Sequence, residues 1–222
     1  MKKIWAVFRK DVRIEFRTKD SLTSMLFFGI VVLVVFNFSI EALNDTVRSA
    51  IPGILWIAFM FSGTLGLNRL FAAETENGCL EGLLMTPADR GTIYLGKMAA
   101  ASLFMIISEA VIFTIGLVLF NITVWAEIPY LLLVFILGTL GFTAVGTLLS
   151  AIAVNTKLRE VLLPLMLFPV ILPVLIYAVE ATRIILNTSD YGALKLPLTV
   201  MIVFIVVMAT ISCLLFEYVL EE

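Results

Sequence analysis

The chain has 222 residues, of which 61% are hydrophobic and 14% charged, and its formal net charge is -2. An average soluble domain carries about 25% charged residues, so this composition excludes an ordinary soluble globular protein and predicts an integral membrane protein. The chain contains no histidine, which excludes histidine-based catalysis and histidine ligation of a metal. The nearly neutral charge gives no indication of nucleic-acid binding.

Residues 1–222 are expected to form a single transmembrane domain, because no Gly/Ser-rich or Pro-rich linker and no loop long enough to fold alone interrupts them. The first 21 residues hold seven Lys and Arg residues among aromatic and aliphatic ones. On a helix, Trp5, Phe8, Val12 and Phe16 fall on one stripe, with most cations elsewhere. The segment 1–21 is therefore predicted to be an amphipathic helix that lies in the membrane interface.

Six apolar runs follow, and each is long enough for a tilted transmembrane helix. They span residues 22–43, 51–71, 93–120, 128–154, 161–179 and 196–216. The predicted fold class is an all-α membrane protein with six transmembrane helices, an N-terminal interfacial helix and a short cytoplasmic coupling helix.

The distribution of positive charge predicts the orientation of these spans. If the N-terminus is cytoplasmic, the segments on that side (1–21, 69–97 and 155–160) contain 12 of the 15 Lys and Arg residues. Loops on the side that holds the excess of Lys and Arg are usually cytoplasmic. Both termini are therefore predicted to be cytoplasmic.

The longest polar interruption is the segment 74–97. Within it, Leu80, Leu83 and Leu84 recur at helical spacing, and Pro87 prevents the helix from continuing. The resulting helix of about two turns is too short to span a membrane and is expected on the water side. Its leucine side chains must be buried against another surface. The candidates are the protein's own helix ends, the lipid surface and a soluble partner.

Residues 91–97, GTIYLGK, have the G-x-x-x-x-G-K frame of a phosphate-binding loop. That frame requires Ser or Thr as the next residue and a strand before it, whereas here Met98 follows and Lys97 opens a transmembrane helix. We therefore reject ATP binding at this position. Lys97 is interpreted as an anchor at the cytoplasmic edge of the membrane.

Glu109 lies near the middle of the third apolar run, where an ionised carboxylate is costly. Its side chain is therefore expected to be protonated, paired, or facing water or a partner subunit. A structural hydrogen bond, within the bundle or to another subunit, is favoured over a role in binding substrate or moving protons.

The fourth and fifth runs carry patterns that affect helix packing. The fourth contains small residues that allow helices to approach closely, which predicts tight packing; they are Gly138, Gly141, Gly146, Ser150, Thr139, Thr143 and Thr147. The fifth contains Pro164, Pro169 and Pro173. Because each proline removes a backbone donor, this helix is predicted to be bent or broken.

Several motifs resemble known membrane transporters. The pattern E-x-E-x-G-x-L-E-x-L-L-x-x-P at 74–87 resembles the second intracellular segment of permeases of the ABC-2 type. More narrowly, I-P-G-I-L-W at 51–56, N-R-L-F at 68–71 and the triple-proline run at 162–178 are similar to the haem exporter protein B family, the permease subunit of the cytochrome c maturation machinery. The resemblance covers nearly the whole chain.

The resemblance implies a non-catalytic permease in the inner (plasma) membrane of a prokaryotic cell. Its activity would be haem export or release of a haem-loaded chaperone, driven by ATP hydrolysis in a separate ATP-binding subunit. The other implied partners are a haem-handling membrane protein, a small single-span subunit, membrane lipid and, in one form of the assembly, a second copy of this chain. No cofactor is expected to be bound directly, with haem as a candidate substrate.

The same resemblance assigns roles to residues of the polar loop. Residues 74–90 become a cytoplasmic coupling segment that docks into a groove of the ATPase, and residues 1–21 become an elbow on the inner leaflet. The coupling residues are Leu80, Glu81, Leu83, Leu84 and Pro87. Arg69, together with Glu74 and Glu76, is expected to brace the loop.

Two alternatives stay open from the sequence. One is an ABC-2 permease for another substrate, such as a drug, a lipid or a polysaccharide. The other is a membrane enzyme that uses Glu109 and Glu180 as acid and base. The second is disfavoured because one carboxylate lies in the middle of a span and the other at its outer edge.

Overall fold

The computed structural model describes residues 2–39, 50–71, 89–124, 126–154, 156, 158–187 and 191–219, and every regular element in these ranges is a helix. The elements are α1 (Lys2–Thr18), α2 (Asp20–Ser39), α3 (Ile51–Arg69), α4 (Arg90–Leu119), α5 (Ile128–Ala153), α6 (Arg159–Asn187), a 3-10 turn (Tyr191–Leu194) and α7 (Lys195–Val219). Helices α2 to α7 are all long and apolar enough to cross a membrane. The predicted all-α fold with six spans is confirmed.

Three prolines lie where helices begin. Pro52 and Pro129 occupy the first turns of α3 and α5, and Pro197 lies in the first turn of α7. Proline is tolerated there because the first backbone N–H groups of a helix have no intrahelical partner. These residues therefore help to fix where the three helices start.

Helix α6 continues without a break from Arg159 to Asn187 through all three of its internal prolines. Of the predicted bend or break, the break is therefore wrong, and the bend stays a prediction. The buried side of α6 is a stripe of apolar residues spaced three or four apart: Leu163, Leu167, Ile171, Val174 and Ala178. The prolines lie off this stripe, on the partly exposed and exposed sides. Packing of the stripe against α3, α5 and α7 holds the helix together where local propensity disfavours it.

Helix α5 lies at the centre of the bundle, and its small residues explain why. Its most apolar window is 72% buried, against 11% for that of the last span. The ring of Trp56 in α3 lies directly over Gly138, and the side chain of Leu67 lies over Gly146, at positions where a Cβ atom would collide with them. The interpretation of the fourth run as a close-packing helix is confirmed.

Trp56 also joins α3 to α6. Its Nε1 donates a hydrogen bond of 2.9 Å to the Oγ1 atom of Thr182, and both side chains are buried. Phe59 and Phe135 pack edge-on against the same indole ring. This aromatic cluster fixes the half of the bundle that lies away from α1.

Helix α1 packs beside the first part of α4, where Val7 meets Gly96, and Lys19 separates α1 from α2. The backbone of Lys19 has a φ of 60°, in the left-handed region. The carboxylate of Glu15 then accepts a 2.8 Å hydrogen bond from the N–H of Leu22, one of the first N–H groups of α2. Helix α1 therefore lies at the same end of the bundle as Phe71 and Asp89, which flank the segment 72–88. We call this the loop end.

Candidate functional site

Most of the predicted coupling segment 74–90 falls between the described residues Phe71 and Asp89, and its last two residues, Asp89 and Arg90, are described. The residues that lie outside the described ones are the assigned coupling residues Leu80, Glu81, Leu83, Leu84 and Pro87 and the bracing residues Glu74 and Glu76. Arg69 is described, and it lies exposed at the end of α3. The geometry that can be examined is how the two ends of the segment are fastened to the bundle.

Lys97 is the centre of the first attachment. Its side chain is 0% exposed, and its ammonium donates a 2.9 Å hydrogen bond to the carbonyl oxygen of Leu70, next to the start of the segment 72–88. The same nitrogen lies 3.4 Å from Oδ2 of Asp11 in α1, an ion pair without hydrogen-bond geometry, and 4.4 Å from the ring centroid of Phe71. One buried cation thus joins α1, α4 and the chain that leaves α3; we call this the Lys97 junction.

The interpretation of Lys97 as an anchor at the membrane edge is wrong. An anchoring lysine extends its charge to the water boundary, whereas the ammonium of Lys97 points into the protein and is covered. Its burial agrees with the rejection of a phosphate-binding loop, because a lysine enclosed within a helix bundle cannot reach a nucleotide.

The close approach of α1 to α4 depends on Gly96. A Cβ atom at this position would lie 2.7 Å from Cβ of Val7 and 3.1 Å from the carbonyl oxygen of Ile4. The absent side chain lets the two backbones meet, and this brings Asp11 over Lys97.

The face of α1 that contacts the bundle therefore differs from the predicted apolar stripe. Trp5 and Phe16 of that stripe are 62% and 55% exposed. These exposed surfaces are free to contact lipid, as expected for an interfacial helix, while the ring of Phe16 also packs edge-on against Phe104 of α4. The signal for the inner face was the two acidic residues, Asp11 and Glu15, in an otherwise basic helix.

The second attachment lies at the start of α4. The guanidinium of Arg90 donates a 2.6 Å hydrogen bond to the carbonyl oxygen of Glu217, near the end of α7. One turn further on, Tyr94 donates its hydroxyl to the carbonyl of Ala144 in α5 at 2.8 Å, and its ring packs on Phe216. The chain that leaves the segment 72–88 is thus tied to α5 and α7.

A small cavity of about 80 Å³ lies beneath α1, and most of its lining comes from α1, α2, α3 and α4. Arg69 lines it together with Asp11 and Glu15. The described structure therefore places Arg69 beside the acidic residues of α1. Its bracing of the loop through Glu74 and Glu76 stays a prediction.

Glu109 lies deep between α4 and α5 and is 1% exposed. Its Oε2 accepts a 2.8 Å hydrogen bond from the hydroxyl of Thr139, which agrees with the predicted structural hydrogen bond within the bundle. Thr143 donates to the carbonyl of Thr139 at 2.8 Å and lies 2.8 Å from the hydroxyl of Ser102. A short track of hydroxyl groups therefore runs along the α4–α5 contact from Glu109 toward the loop end.

Metal binding finds no support in this arrangement. Across the described ranges, no three acidic or cysteine side chains converge as metal ligands. The loop end has a mechanical role, because the two helix ends that flank one segment are fastened to three other helices, α1, α5 and α7.

Comparison with known proteins identifies one family and several relatives that share one name. A family model described as CcmB protein matches residues 2–218. Heme exporter protein B of Escherichia coli (strain K12) is 32% identical over 96 residues, which cover 43% of this chain and 44% of that protein. The protein of the same name from Pseudomonas aeruginosa is 27% identical over 145 residues (65% of each chain), and that from Haemophilus influenzae is 27% identical over 151 residues (67% of this chain and 66% of the relative). The aligned part thus spans less than half the length of the Escherichia coli relative.

Proposed function

The chain belongs to the CcmB protein family, and from this premise we propose that it is the membrane permease subunit of an ABC-type haem exporter. It acts in cytochrome c maturation, either in haem export or in the release of a haem-loaded chaperone. The relatives named heme exporter protein B support the substrate class, and the six membrane-spanning helices support the role of a permease.

The energy source in this proposal is a separate ATP-binding subunit. The one phosphate-loop-like frame in the chain lacks the Ser or Thr that holds magnesium. Its lysine is engaged in the Lys97 junction. The permease itself is therefore non-catalytic, and the force must reach it from outside the bundle.

We orient the loop end toward the cytoplasm, with both termini on that side of a prokaryotic inner membrane. The support is the excess of Lys and Arg on that side, 12 of 15 in the chain. Helix α1 then lies on the inner leaflet with Trp5 and Phe16 toward lipid. The whole chain, 1–222, acts as one transmembrane domain.

The coupling segment 74–90 contacts the ATPase in this account. Leu80, Leu83 and Leu84 enter a groove of the partner, as amphipathic helices do in many complexes. Glu81 pairs with a basic residue there, and Pro87 ends the helix. The assembly further contains a haem-handling membrane protein and a small single-span subunit. In its dimeric form it also contains a second copy of this chain.

The observation that carries the ATPase-driven part of the proposal is the pair of attachments at the loop end. A displacement of the segment reaches α1 through Leu70 and the Lys97 junction, and reaches α7 through Arg90. Because a buried cation and two hydrogen bonds hold these contacts, movement of the segment is transmitted to both helices. A motor that moves the segment thereby moves helices on both sides of the bundle.

Deletion of the gene in its host tests the proposed function. Loss of covalent haem attachment to c-type cytochromes, with b-type cytochromes retained, is the expected result, and re-expression of the chain should restore attachment. The b-type proteins are the control, because a defect in haem synthesis would remove both classes. Normal c-type cytochromes in the deletion strain would instead favour a permease for another substrate.

A further inference from the structure

The two acidic residues of α1 are turned toward the bundle. Asp11 lies 3.4 Å from Lys97, and the carboxylate of Glu15 accepts the hydrogen bond from the N–H of Leu22. Both acidic side chains are partly buried. The charged residues of α1 that are exposed are all cations, and they are Lys2, Lys3, Arg9, Arg13 and Arg17. The outer surface of α1 is therefore strongly positive.

Lys2 and Arg9 lie at the border between this positive surface and the exposed aromatic side chains of α1. Lys2 is three residues before Trp5 and Arg9 is four residues after it, which places all three on one side of the helix. Arg9 and Phe16, seven residues apart, are separated by only about 20° around the helix axis. Aromatic rings beside cations are typical of a helix that binds an anionic membrane surface.

A shallow groove lies between α1 and α4 beside these residues. Its volume is about 510 Å³, and its lining residues are Lys2, Ile4, Trp5, Phe8 and Ala99. The rings of Trp5 and Phe8 stack, with their centroids 5.1 Å apart. Among the described lining residues Lys2 alone is charged, and it is exposed. The groove therefore combines an apolar surface with an accessible ammonium group.

The position of the groove along α4 indicates what fills it. Ala99 is exposed and lies 20 residues before the end of α4 at Leu119. At 1.5 Å per residue, this separation is about 30 Å. The hydrocarbon core of a bilayer is also about 30 Å thick. With Leu119 at one boundary of the core, Ala99 lies at the other, where acyl chains meet phosphate groups.

We propose that the groove between α1 and α4 binds one anionic phospholipid from the leaflet at the loop end. Its acyl chain lies against Trp5, Phe8 and Ala99. Its phosphate group contacts Lys2 and is attracted by Arg9. This site goes beyond the proposed exporter function and depends on neither the substrate nor the ATPase.

The charge of the surface selects the lipid. Each Lys or Arg near the membrane surface attracts an anionic headgroup, whereas a zwitterionic headgroup presents a cation of its own to the same side chains. An acidic segment of a soluble protein would neutralise Lys2 and Arg9. It would, however, leave the rings of Trp5 and Phe8 without an apolar partner at the hydrocarbon boundary. A phospholipid satisfies both parts of the groove.

Photoactivatable lipids test the proposal in the complete complex, reconstituted in phosphatidylcholine vesicles. The vesicles contain equal small amounts of either phosphatidylglycerol or phosphatidylcholine with a diazirine in the acyl chain, and the labelled peptides are sequenced. Phosphatidylglycerol should label the peptides that contain Trp5 and Ala99 about five- to 25-fold more strongly, at about fivefold for each of one or two cations. The peptide around Val203, exposed in a stretch of α7 without charged residues, should be labelled equally by both lipids.

Charge variants identify the cations that select the lipid. Lys2→Gln should lower the preference for phosphatidylglycerol about fivefold, and Arg9→Gln should lower it by a smaller factor. Neither change should alter labelling by phosphatidylcholine. The matched control is Lys195→Gln, at an exposed lysine at the opposite end of the bundle, which should leave the preference unchanged.

A size variant tests the groove itself. Ala99→Leu should fill the groove and lower the labelling of the Trp5 peptide by both lipids. Ala110→Leu, at another exposed alanine of α4, is its control and should not lower it.

Three results would overturn the proposal. One is equal labelling of the Trp5 and Ala99 peptides by the two lipids in the wild type. Another is a preference that Lys2→Gln and Arg9→Gln both leave unchanged. The third is an absence of label from either lipid at these peptides, which would show that a protein partner covers the groove in the complex.

Discussion

Replacing Lys97 by methionine removes the cation of the Lys97 junction while keeping a flexible side chain of similar length. The carbonyl of Leu70 loses its 2.9 Å hydrogen bond, and Phe71 loses the cation over its ring. A hydrogen bond to a charged group contributes about 1.5–3 kcal/mol, and a desolvated cation–π contact up to about 2 kcal/mol. Asp11 keeps Lys10 at 3.2 Å and is 11% exposed, so the cost of leaving its carboxylate behind is reduced.

We expect the Lys97→Met substitution to destabilise the protein by about 3 kcal/mol, near the lower end of the range for breaking a buried ion pair. For a chain of this size, that corresponds to a fall in Tm of about 6–12 °C. Thermal unfolding in detergent, monitored by tryptophan fluorescence, measures this fall in Tm. Lys195→Met, at an exposed lysine at the opposite end of the bundle, is the matched control and should leave Tm unchanged.

A double-mutant cycle separates the ion pair from other effects. Asp11→Leu alone leaves a buried cation, whereas Asp11→Leu together with Lys97→Met removes both charges. Replacement of both members of a buried ion pair by apolar residues is often nearly neutral. The double variant should therefore lose about 2 kcal/mol less stability than the two single losses added together. A Tm for Lys97→Met within 1 °C of the wild type, or strictly additive effects, would refute this reasoning.

Three further expectations come from the same contacts. Gly96→Ala should push α1 away from α4 and lower the free energy of unfolding by about 1–3 kcal/mol. Gly53→Ala, where nothing lies within 4 Å of the added Cβ atom, should be neutral or slightly stabilising. Thermal unfolding of the two variants compares these effects. Trp56→Phe should cost about 1–3 kcal/mol through the lost hydrogen bond and the space left beside Gly138, and Thr182→Val should cost less because it removes only the hydrogen-bond partner. Lys97→Met should keep the ATPase bound and yet slow haem delivery, seen as reduced haem-stained c-type cytochrome at normal permease levels; unchanged cytochrome would contradict the transmission path.

The number and approximate position of the membrane spans could be predicted because long apolar runs have few other solutions. The least accurate boundary was that of the fifth span, predicted to end at residue 179, whereas α6 continues to Asn187. Glu180 and Arg183 are charged and interrupt the apolar run, so the run was predicted to end before them. They are exposed and lie three residues apart at 3.9 Å, while Ala181 and Thr182 between them are buried.

The Lys97 junction could not be predicted, because its members lie in three distant parts of the chain: Asp11, Leu70 with Phe71, and Lys97. A lysine near the start of a span is most simply interpreted as an anchor, and only the close approach of α1 at Gly96 places Asp11 above it. Glu109 is the converse case. The cost of placing its carboxyl group in a membrane span was evident from the sequence. Identifying its partner, Thr139, required knowledge of which helices are neighbours.

The central claim is that a soluble ATPase grips the leucines of the segment 74–90. Its most direct test is copurification of the ATP-binding subunit with the Leu83→Asp and Leu84→Asp variants, extracted from membranes in detergent. The control is Leu158→Asp, at an exposed leucine between α5 and α6 at the same end of the bundle. The account predicts that both coupling variants stay in the membrane and lose the ATPase while the control retains it; an ATPase that still copurifies with Leu83→Asp and Leu84→Asp would contradict it.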